Sequence, residues 1–317
     1  LMFDLSDVPE KDLPMVGLLQ AVLGIIDTEH YEYGELFNEI NRHTGGIGTS
    51  LELYPDVTKV KEKEFKATFE IKGKALYGQI PFAIRMMKEI LTASKLDDEK
   101  RLKEILSMTK TRLQDRFLSA GHSAAALRAM SYKSPISKFK DTTNGIEYYQ
   151  NIREMEEHFD EKKEEIISGL KALSELLFRK GNVMISYTAS REGLAVLEEE
   201  IGSLKEALYP ERTPESRCIL HCEKKNEGFK TSSKVQFAAK AGNFIDAGEE
   251  YNGALQILKV IMSYEYLWIN IRVKGGAYGC MSNFNRIGEG YFVSYRDPNL
   301  GRTLEIYDGV PEYLENF

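Results

Sequence analysis

Between Ile80 and about Phe178, apolar side chains recur at helical spacing almost throughout, and on either side of that run the pattern changes to period-two alternation. Upstream, Thr49-Ser50-Leu51-Glu52-Leu53-Tyr54 and Glu64 to Lys72 alternate as half-buried strands do. They follow two expected helices, residues 12–27 and Tyr33–His43, and the glycine turn Gly45-Gly46-Ile47-Gly48. The helical run is broken at Ser134-Pro135 and at Thr142-Thr143-Asn144-Gly145. After the polar break Arg179-Lys180-Gly181-Asn182 the texture resets. Val183 to Thr188 reads as a new first strand, and Ser190 stands where it would cap a helix to about Leu208. Residues 209–233, with Pro210 and Pro214, read as loop, Lys234–Gly242 as a strand, Gly253–Val273 as a long helix, and Ala277–Tyr295 as at least two more strands. The fold class is therefore α+β, with mainly antiparallel sheets packed by helices, in two domains at 1–180 and 181–317. Pro311 to Phe317 resembles an opening helical turn with no stop signal and no closing strand, so the second domain is expected to be incomplete.

The 317 residues suffice for two cores, and 42% hydrophobic with 29% charged content is that of an ordinary globular chain. A net charge of −7, from 42 basic and 49 acidic residues, gives no electrostatic reason to expect nucleic acid or an anionic membrane as partner. The longest apolar stretch, Met15 to Ile26, is interrupted by Gly17 and Gln20 and is too short to span a bilayer. No export signal is visible, and three cysteines make no disulfide framework, so a reducing compartment, the cytoplasm by default, is expected.

The most informative stretch is Leu267-Trp268-Ile269-Asn270-Ile271-Arg272-Val273-Lys274-Gly275-Gly276-Ala277-Tyr278-Gly279. It reads as the end of an apolar helix, a basic pair, a double-glycine turn and a strand opening with tyrosine. Glycines at 275 and 276 permit positive φ and close backbone approach. Such a turn can bring a guanidinium and a phenol to one place, where they would grip a carbonyl or a developing oxyanion. The plainer alternative is a helix C-cap followed by a core tyrosine.

Arg-x-Lys-Gly-Gly-Ala-Tyr-Gly after a Trp-bearing helix resembles the signature in the C-terminal half of the insulinase and pitrilysin family of zinc peptidases. Tyr33 to Gly46, Val235 to Phe244 and Ser294-Tyr295-Arg296-Asp297-Pro298-Asn299 are similar to its presequence protease branch and occur in family order. The resemblance implies a clam-shell of two halves. The N-terminal half would hold zinc through an inverted His-x-x-Glu-His helix, and this half would close the chamber. By motif position it implies that Arg272 and Tyr278 contact the substrate or the oxyanion. It also places Gly242, Asn243 and Phe244 at the end of a strand on the chamber wall, where a substrate strand could add; edge-strand packing is the plainer alternative.

The zinc motif itself is absent. None of the five histidines (His30, His43, His122, His158, His221) lies four residues from another. The segment matching the zinc helix, Val16-Gly17-Leu18-Leu19-Gln20-Ala21-Val22-Leu23, offers only Gln20 and reads as packing surface. Glu154-Met155-Glu156-Glu157-His158 has related spacing but is flanked by charges that mark a solvated helix face. Cys218-Ile219-Leu220-His221-Cys222 has no second ligand pair and reads as a reduced loop, and Cys280 as a small buried side chain. Gly45-Gly46-Ile47-Gly48 follows a helix and lacks phosphate-loop spacing, so it is a turn.

The expected function is thus half of a zinc endopeptidase acting on unstructured peptides. Its zinc lies outside this chain, which by itself is expected to hold no cofactor and no activity. The expected partners are a peptide substrate and the N-terminal half of the same enzyme, with no nucleic acid and no membrane. A non-catalytic insulinase-fold scaffold or partner subunit is the alternative from a different class.

Overall fold

The computed structural model describes residues 1–213 and 216–317; Pro214, part of the expected loop, lies outside the described residues. The helices are α1 (Leu13–Val22), α2 (Tyr33–His43), α3 (Ile80–Thr92), α4 (Glu99–Ser131), α5 (Pro135–Asn144), α6 (Ile146–Glu157), α7 (Phe159–Leu177), α8 (Arg191–Ala207), α9 (Ala254–Ile261), α10 (Leu300–Asp308) and α11 (Val310–Glu315). The strands are β1 (Met2–Asp4), β2 (Ile47–Pro55), β3 (Phe65–Gly73), β4 (Val183–Met184), β5 (Ala239–Asn243), β6 (Gly279–Phe284) and β7 (Glu289–Tyr295). They fall into two compact units. One comprises Leu1–Tyr54, Lys66–Lys110 and Gln150–Ile219, the other Pro55–Phe65, Thr111–Tyr149 and Leu220–Phe317.

The first unit is built on a four-stranded sheet in the order β2-β3-β1-β4. β1 pairs antiparallel with β3 and β4, which sets Phe3 beside Phe69 and Val183. Phe3 and Phe69 both meet Phe178 edge-on, at 5.0 and 5.4 Å between ring centroids. All three rings are fully buried, each worth about 1.5–3 kcal/mol relative to exposure. α1 packs on α7, and α3 on α8.

Several elements depart from the sequence pattern. α1 stops at Val22 rather than continuing to 27, because Leu23 turns extended and Gly24 takes φ +88. His158 separates α6 from α7, a break that the charge-rich sequence hides. β4 spans two residues rather than 183–188, since β1 offers it only Met2 and Phe3 as partners. Ser190 does stand at the start of α8, but its hydroxyl makes no capping bond.

The second unit holds a three-stranded antiparallel sheet in the order β5-β7-β6. The expected strand 234–242 is shorter than its pattern: β5 begins at Ala239, and Gln236 makes only an isolated bridge to Asp297. The core is Ala238, Met262, Leu267, Ile271, Ala277, Cys280, Tyr307 and Val310. Tyr307 stacks on Phe292 at 5.5 Å and donates its hydroxyl to the Ala238 carbonyl at 3.2 Å. α4 kinks at Ala120, where φ −129 and ψ +36 are not helical. Gly121 follows, and a Cβ there would fall 2.4 Å from the Phe237 ring, so only glycine lets that ring lie against the kink.

Candidate functional site

The helix expected at 253–273 is two pieces: α9, then a π-helix at Met262–Val273. The Lys274 N–H donates to Ile269 O at 3.0 Å, five residues back. Such widened turns recur at functional sites. Met262, Leu267 and Ile271 anchor this helix in the core.

The glycine turn is a helix C-cap like a Schellman motif but one residue wider, as the end of a π-helix requires. Gly276 has φ +79, its N–H donates to Arg272 O at 2.9 Å, and the Ala277 N–H reaches back to Ile271 O at 3.1 Å. Buried Ala277 and buried Ile271 supply the hydrophobic contact of that motif. Gly275 is needed for space, because a Cβ there would lie 2.4 Å from Ile271 O. The plain C-cap reading is therefore correct for the backbone. Its second half is not: Tyr278 is 64% exposed, so it is no core residue.

The cap does bring Arg272 and Tyr278 together. The Arg272 guanidinium lies 4.1 Å from the centre of the Trp268 ring, one turn earlier, and 5.6 Å from that of Tyr278. Its Nη1 donates to the Tyr278 carbonyl at 2.8 Å. The Tyr278 N–H donates to Tyr295 O at 3.0 Å and to Arg296 O at 3.3 Å, extending the β6–β7 ladder by one residue. The Tyr278 ring meets Tyr295 edge-on at 5.8 Å, and Tyr295 in turn meets His122 at 4.8 Å and donates its hydroxyl to Ser119 O at 3.3 Å. Burial lowers the pKa of His122 below its ordinary value.

A strap holds the turn from behind. Asn299 donates its side-chain amide to Gly275 O at 2.5 Å. Fully buried Asp297 accepts from the Asn299 N–H at 2.8 Å and from the Thr303 hydroxyl at 2.6 Å, which fixes the start of α10. Cys280, next along β6, is buried, and burial pushes its thiol up to about 11, so it packs rather than reacts. What remains open at the turn is an exposed phenol beside a half-buried guanidinium. Two such donors side by side suit a carbonyl oxygen or an oxyanion.

Gly242, Asn243 and Phe244 lie elsewhere. β5 is an edge of the sheet, and Gly242 pairs with Gly290, level with Phe284 on β6, whereas Tyr278 precedes the Gly279–Tyr295 pair at the other end. Six residues along and two strands across separate the places by roughly 20 Å. The structure does not bring the two candidate sites together. A Cβ at Gly242 would meet nothing within 4 Å, so the strand end is open there.

No group of three His, Cys, Asp or Glu among the described residues could hold a metal ion. In α1 the residues matching a zinc helix are buried packing residues, and Gln20 donates to Thr49 O at 3.4 Å. Zinc does not fit the described residues. The Glu154–His158 stretch is divided by the α6–α7 break, and its side chains pair with Lys162, Lys110, Arg153 and Glu161. Cys218 is half-buried with its thiol pushed up to about 11 by burial, and its N–H donates to Ser6 O.

Sequence reading did not assign parts to Trp268, Asn299, Tyr295 or His122. Trp268 was within reach, since a ring four residues before an arginine shares its helix face. The contact of His122 with Tyr295 spans distant segments and leaves no local signal.

The comparisons with known proteins bear on these same segments. The family model for the segment associated with peptidases of family M16, subfamily C, matches residues 1–155, and "PreP C-terminal domain" matches residues 226–317, which include the glycine turn. Protein HypA of Clostridium perfringens is 38% identical over 99% of this chain and 32% of its own length. Presequence protease 1, chloroplastic/mitochondrial, of Arabidopsis thaliana is 28% identical over 99% of this chain and 29% of its own. The chain thus spans about a third of the length of these relatives. The crystal structure of a peptidase M16 inactive domain from Pseudomonas fluorescens shares the fold, with a TM-score of 0.53 and 16% identity over 99% of this chain and 73% of that one.

Proposed function

The chain belongs to the insulinase-type M16 peptidase family, where it corresponds to the C-terminal half of presequence proteases, and from that footing we propose that it forms the chamber wall facing the zinc site of an endopeptidase that degrades unstructured peptides. The observation that carries this reading is the fixed pairing of Arg272 with exposed Tyr278 at the glycine turn. Arg272 binds the substrate backbone or the oxyanion, and the Tyr278 hydroxyl donates to the same oxygen. Zinc is held by the other half of the enzyme. The chain alone therefore cleaves nothing. The open end of β5 at Gly242, Asn243 and Phe244 receives an extended part of the same peptide, a span of roughly six residues from the turn. We keep the division of the two family domains near residue 180 as part of this proposal, and a reducing, cytoplasmic setting in keeping with three free cysteines.

The test is Tyr278→Phe in the full-length enzyme. It removes one hydroxyl whose loss leaves the Tyr278 backbone contacts intact. We expect kcat to fall roughly ten- to a thousand-fold with KM less affected and zinc content unchanged, as for the loss of one oxyanion donor. Wild-type kinetics would remove the catalytic role. A full-length polypeptide without His-x-x-Glu-His would favour the rival reading, a non-catalytic scaffold.

A further inference from the structure

Tyr278 has a fixed backbone, but that alone does not aim its ring. The Arg272 guanidinium holds its carbonyl, and its N–H is shared between Tyr295 O at 3.0 Å and Arg296 O at 3.3 Å. Those bonds leave χ1 and χ2 free, and a side chain 64% exposed samples several staggered rotamers unless a neighbour excludes them. On the sheet side that neighbour is Tyr295, which the Tyr278 ring meets edge-on at 5.8 Å and 76°. Tyr295 is itself held from three sides. Its ring meets His122 edge-on at 4.8 Å, lies 5.8 Å from the Phe237 ring, and has the Arg296 guanidinium 5.4 Å from its centre. Its hydroxyl donates to Ser119 O at 3.3 Å, at the residue before the Ala120 kink of α4. Gly121 in that kink admits Phe237, the ring packed beside Tyr295. Backbone strain marks the same place. Arg296 has φ +49, a left-handed conformation that any side chain beyond glycine disfavours. Such strain persists where the surroundings over-determine it, and it gathers at functional sites. Here it lets the carbonyls of Tyr295 and Arg296 both face the Tyr278 N–H, while Asp297 turns into the core and bridges to Gln236.

We infer that Tyr295 is a positioning residue for the Tyr278 phenol: anchored by its hydroxyl to the α4 kink, it sets the direction in which Tyr278 offers its own hydroxyl to the substrate oxygen. The inference rests on the reading of Tyr278 as a substrate contact and adds the residue that aims it. An oxyanion donor acts only within hydrogen-bond distance of the place where charge develops, so a phenol in another rotamer donates nothing there. A misplacement of about 1 Å costs roughly a hundredfold in rate. Tyr295 itself touches no substrate, so substrate binding should be nearly indifferent to its replacement.

The test is a double-mutant cycle on the full-length enzyme with an unstructured peptide, reading kcat, KM and melting temperature. Tyr295→Leu removes both the ring and its tether. It should lower kcat roughly ten- to a hundredfold with KM within about twofold. Tyr295→Phe keeps the ring and loses one neutral hydrogen bond, so it should restore most of kcat, to within roughly two- to fivefold of wild type. In Tyr278→Phe/Tyr295→Leu, the second change should add less than about twofold to the loss from Tyr278→Phe, because no hydroxyl remains to aim. A residue that only packs would lower the melting temperature and leave kcat below melting unchanged. Wild-type kcat in Tyr295→Leu beside an impaired Tyr278→Phe therefore overturns the inference and leaves the functional reading standing. An undiminished further loss in the double variant overturns it too, since Tyr295 would then act other than through Tyr278. Wild-type kcat in Tyr278→Phe overturns both readings. If Tyr295→Leu does not fold, Tyr295→Phe takes its place in the cycle: a loss of kcat that vanishes in the Tyr278→Phe background supports the inference, and wild-type kcat overturns it.

Discussion

Arg272 Nη1 holds the carbonyl oxygen of Tyr278 at 2.8 Å, so the guanidinium positions the backbone from which the phenol projects. The two residues therefore act as one unit, and their substitutions should not add. In the full-length enzyme, Arg272→Ala removes its own substrate contact and also frees Tyr278. The double variant Arg272→Ala/Tyr278→Phe should then lose only about twofold more kcat/KM than Arg272→Ala alone. Full additivity of the two losses in a double-mutant cycle would mean that the contact does not transmit position.

The glycine pair gives a graded prediction. Gly276 needs positive φ but has room, since its added Cβ would meet only Pro298 Cγ at 3.8 Å. Gly276→Ala should cost about 1–2 kcal/mol of backbone strain, and Gly276→Asn should cost less, because asparagine tolerates the left-handed region. Gly275→Ala is different in kind, driving a Cβ to 2.4 Å from the Ile271 carbonyl oxygen, so it should be the most damaging of the three. Denaturant midpoints for the second unit's transition would rank the variants. A Gly275→Ala midpoint above that of Gly276→Ala would contradict the geometry.

Local signals made much of this legible. Tyr33–His43 is α2 to the residue, and the breaks at Ser134-Pro135 and before Gly145 bound α5, because proline and glycine act on their own turn of chain. β4 could not be read, since its length is set by the three residues of β1 nearly the whole unit away in sequence. The π-helix was hidden for a related reason: an i→i−5 bond leaves the apolar spacing of Leu267 and Ile271 looking ordinary. Arg272 and Tyr278 come together because a single turn joins them, and that proximity was legible in the spacing of the motif. That Gly242 stands at the opposite end and edge of the sheet depends on strand register across β7, which no local pattern encodes.

The isolated chain should bind zinc weakly or not at all, since no three donors converge among the described residues. Metal analysis after mild dialysis should find well under about one-tenth of an equivalent, below what a three-ligand protein site retains. Near-stoichiometric zinc that disappears in His158→Ala or Cys222→Ala would reassign the metal to this half.

The long segment after α8 is pinned to α4 by charge, and that gives a pH prediction. Arg128 donates to Glu227 through Nε at 2.8 Å and Nη2 at 3.2 Å, and Tyr132 donates its hydroxyl to the same carboxylate. Arg128 also meets Asp141 at 2.6 Å and Glu147 at 3.3 Å, and Lys138 meets Glu147 at 2.6 Å. The hydrogen bond from Arg128 holds the Glu227 pKa below its ordinary 4.5, with Tyr132 and the charge of Arg128 adding to it against burial. A depressed folded pKa means stabilisation that is complete above pH 4.5 and lost as pH falls through the lower folded value. Asp141 works in the opposite sense, because burial raises its pKa despite Arg128, so its ionised form is the less favoured one in the folded unit. The acid-sensitive element is therefore the Glu227 attachment. Hydrogen exchange around Glu227 should rise several-fold as pH drops from 5 to about 3.5, after correction for the intrinsic rate, while the Tyr307 region stays protected. Glu227→Gln should show the faster exchange already at pH 7 and no further acid step. An acid step that persists undiminished in Glu227→Gln would overturn the assignment of the release to Glu227.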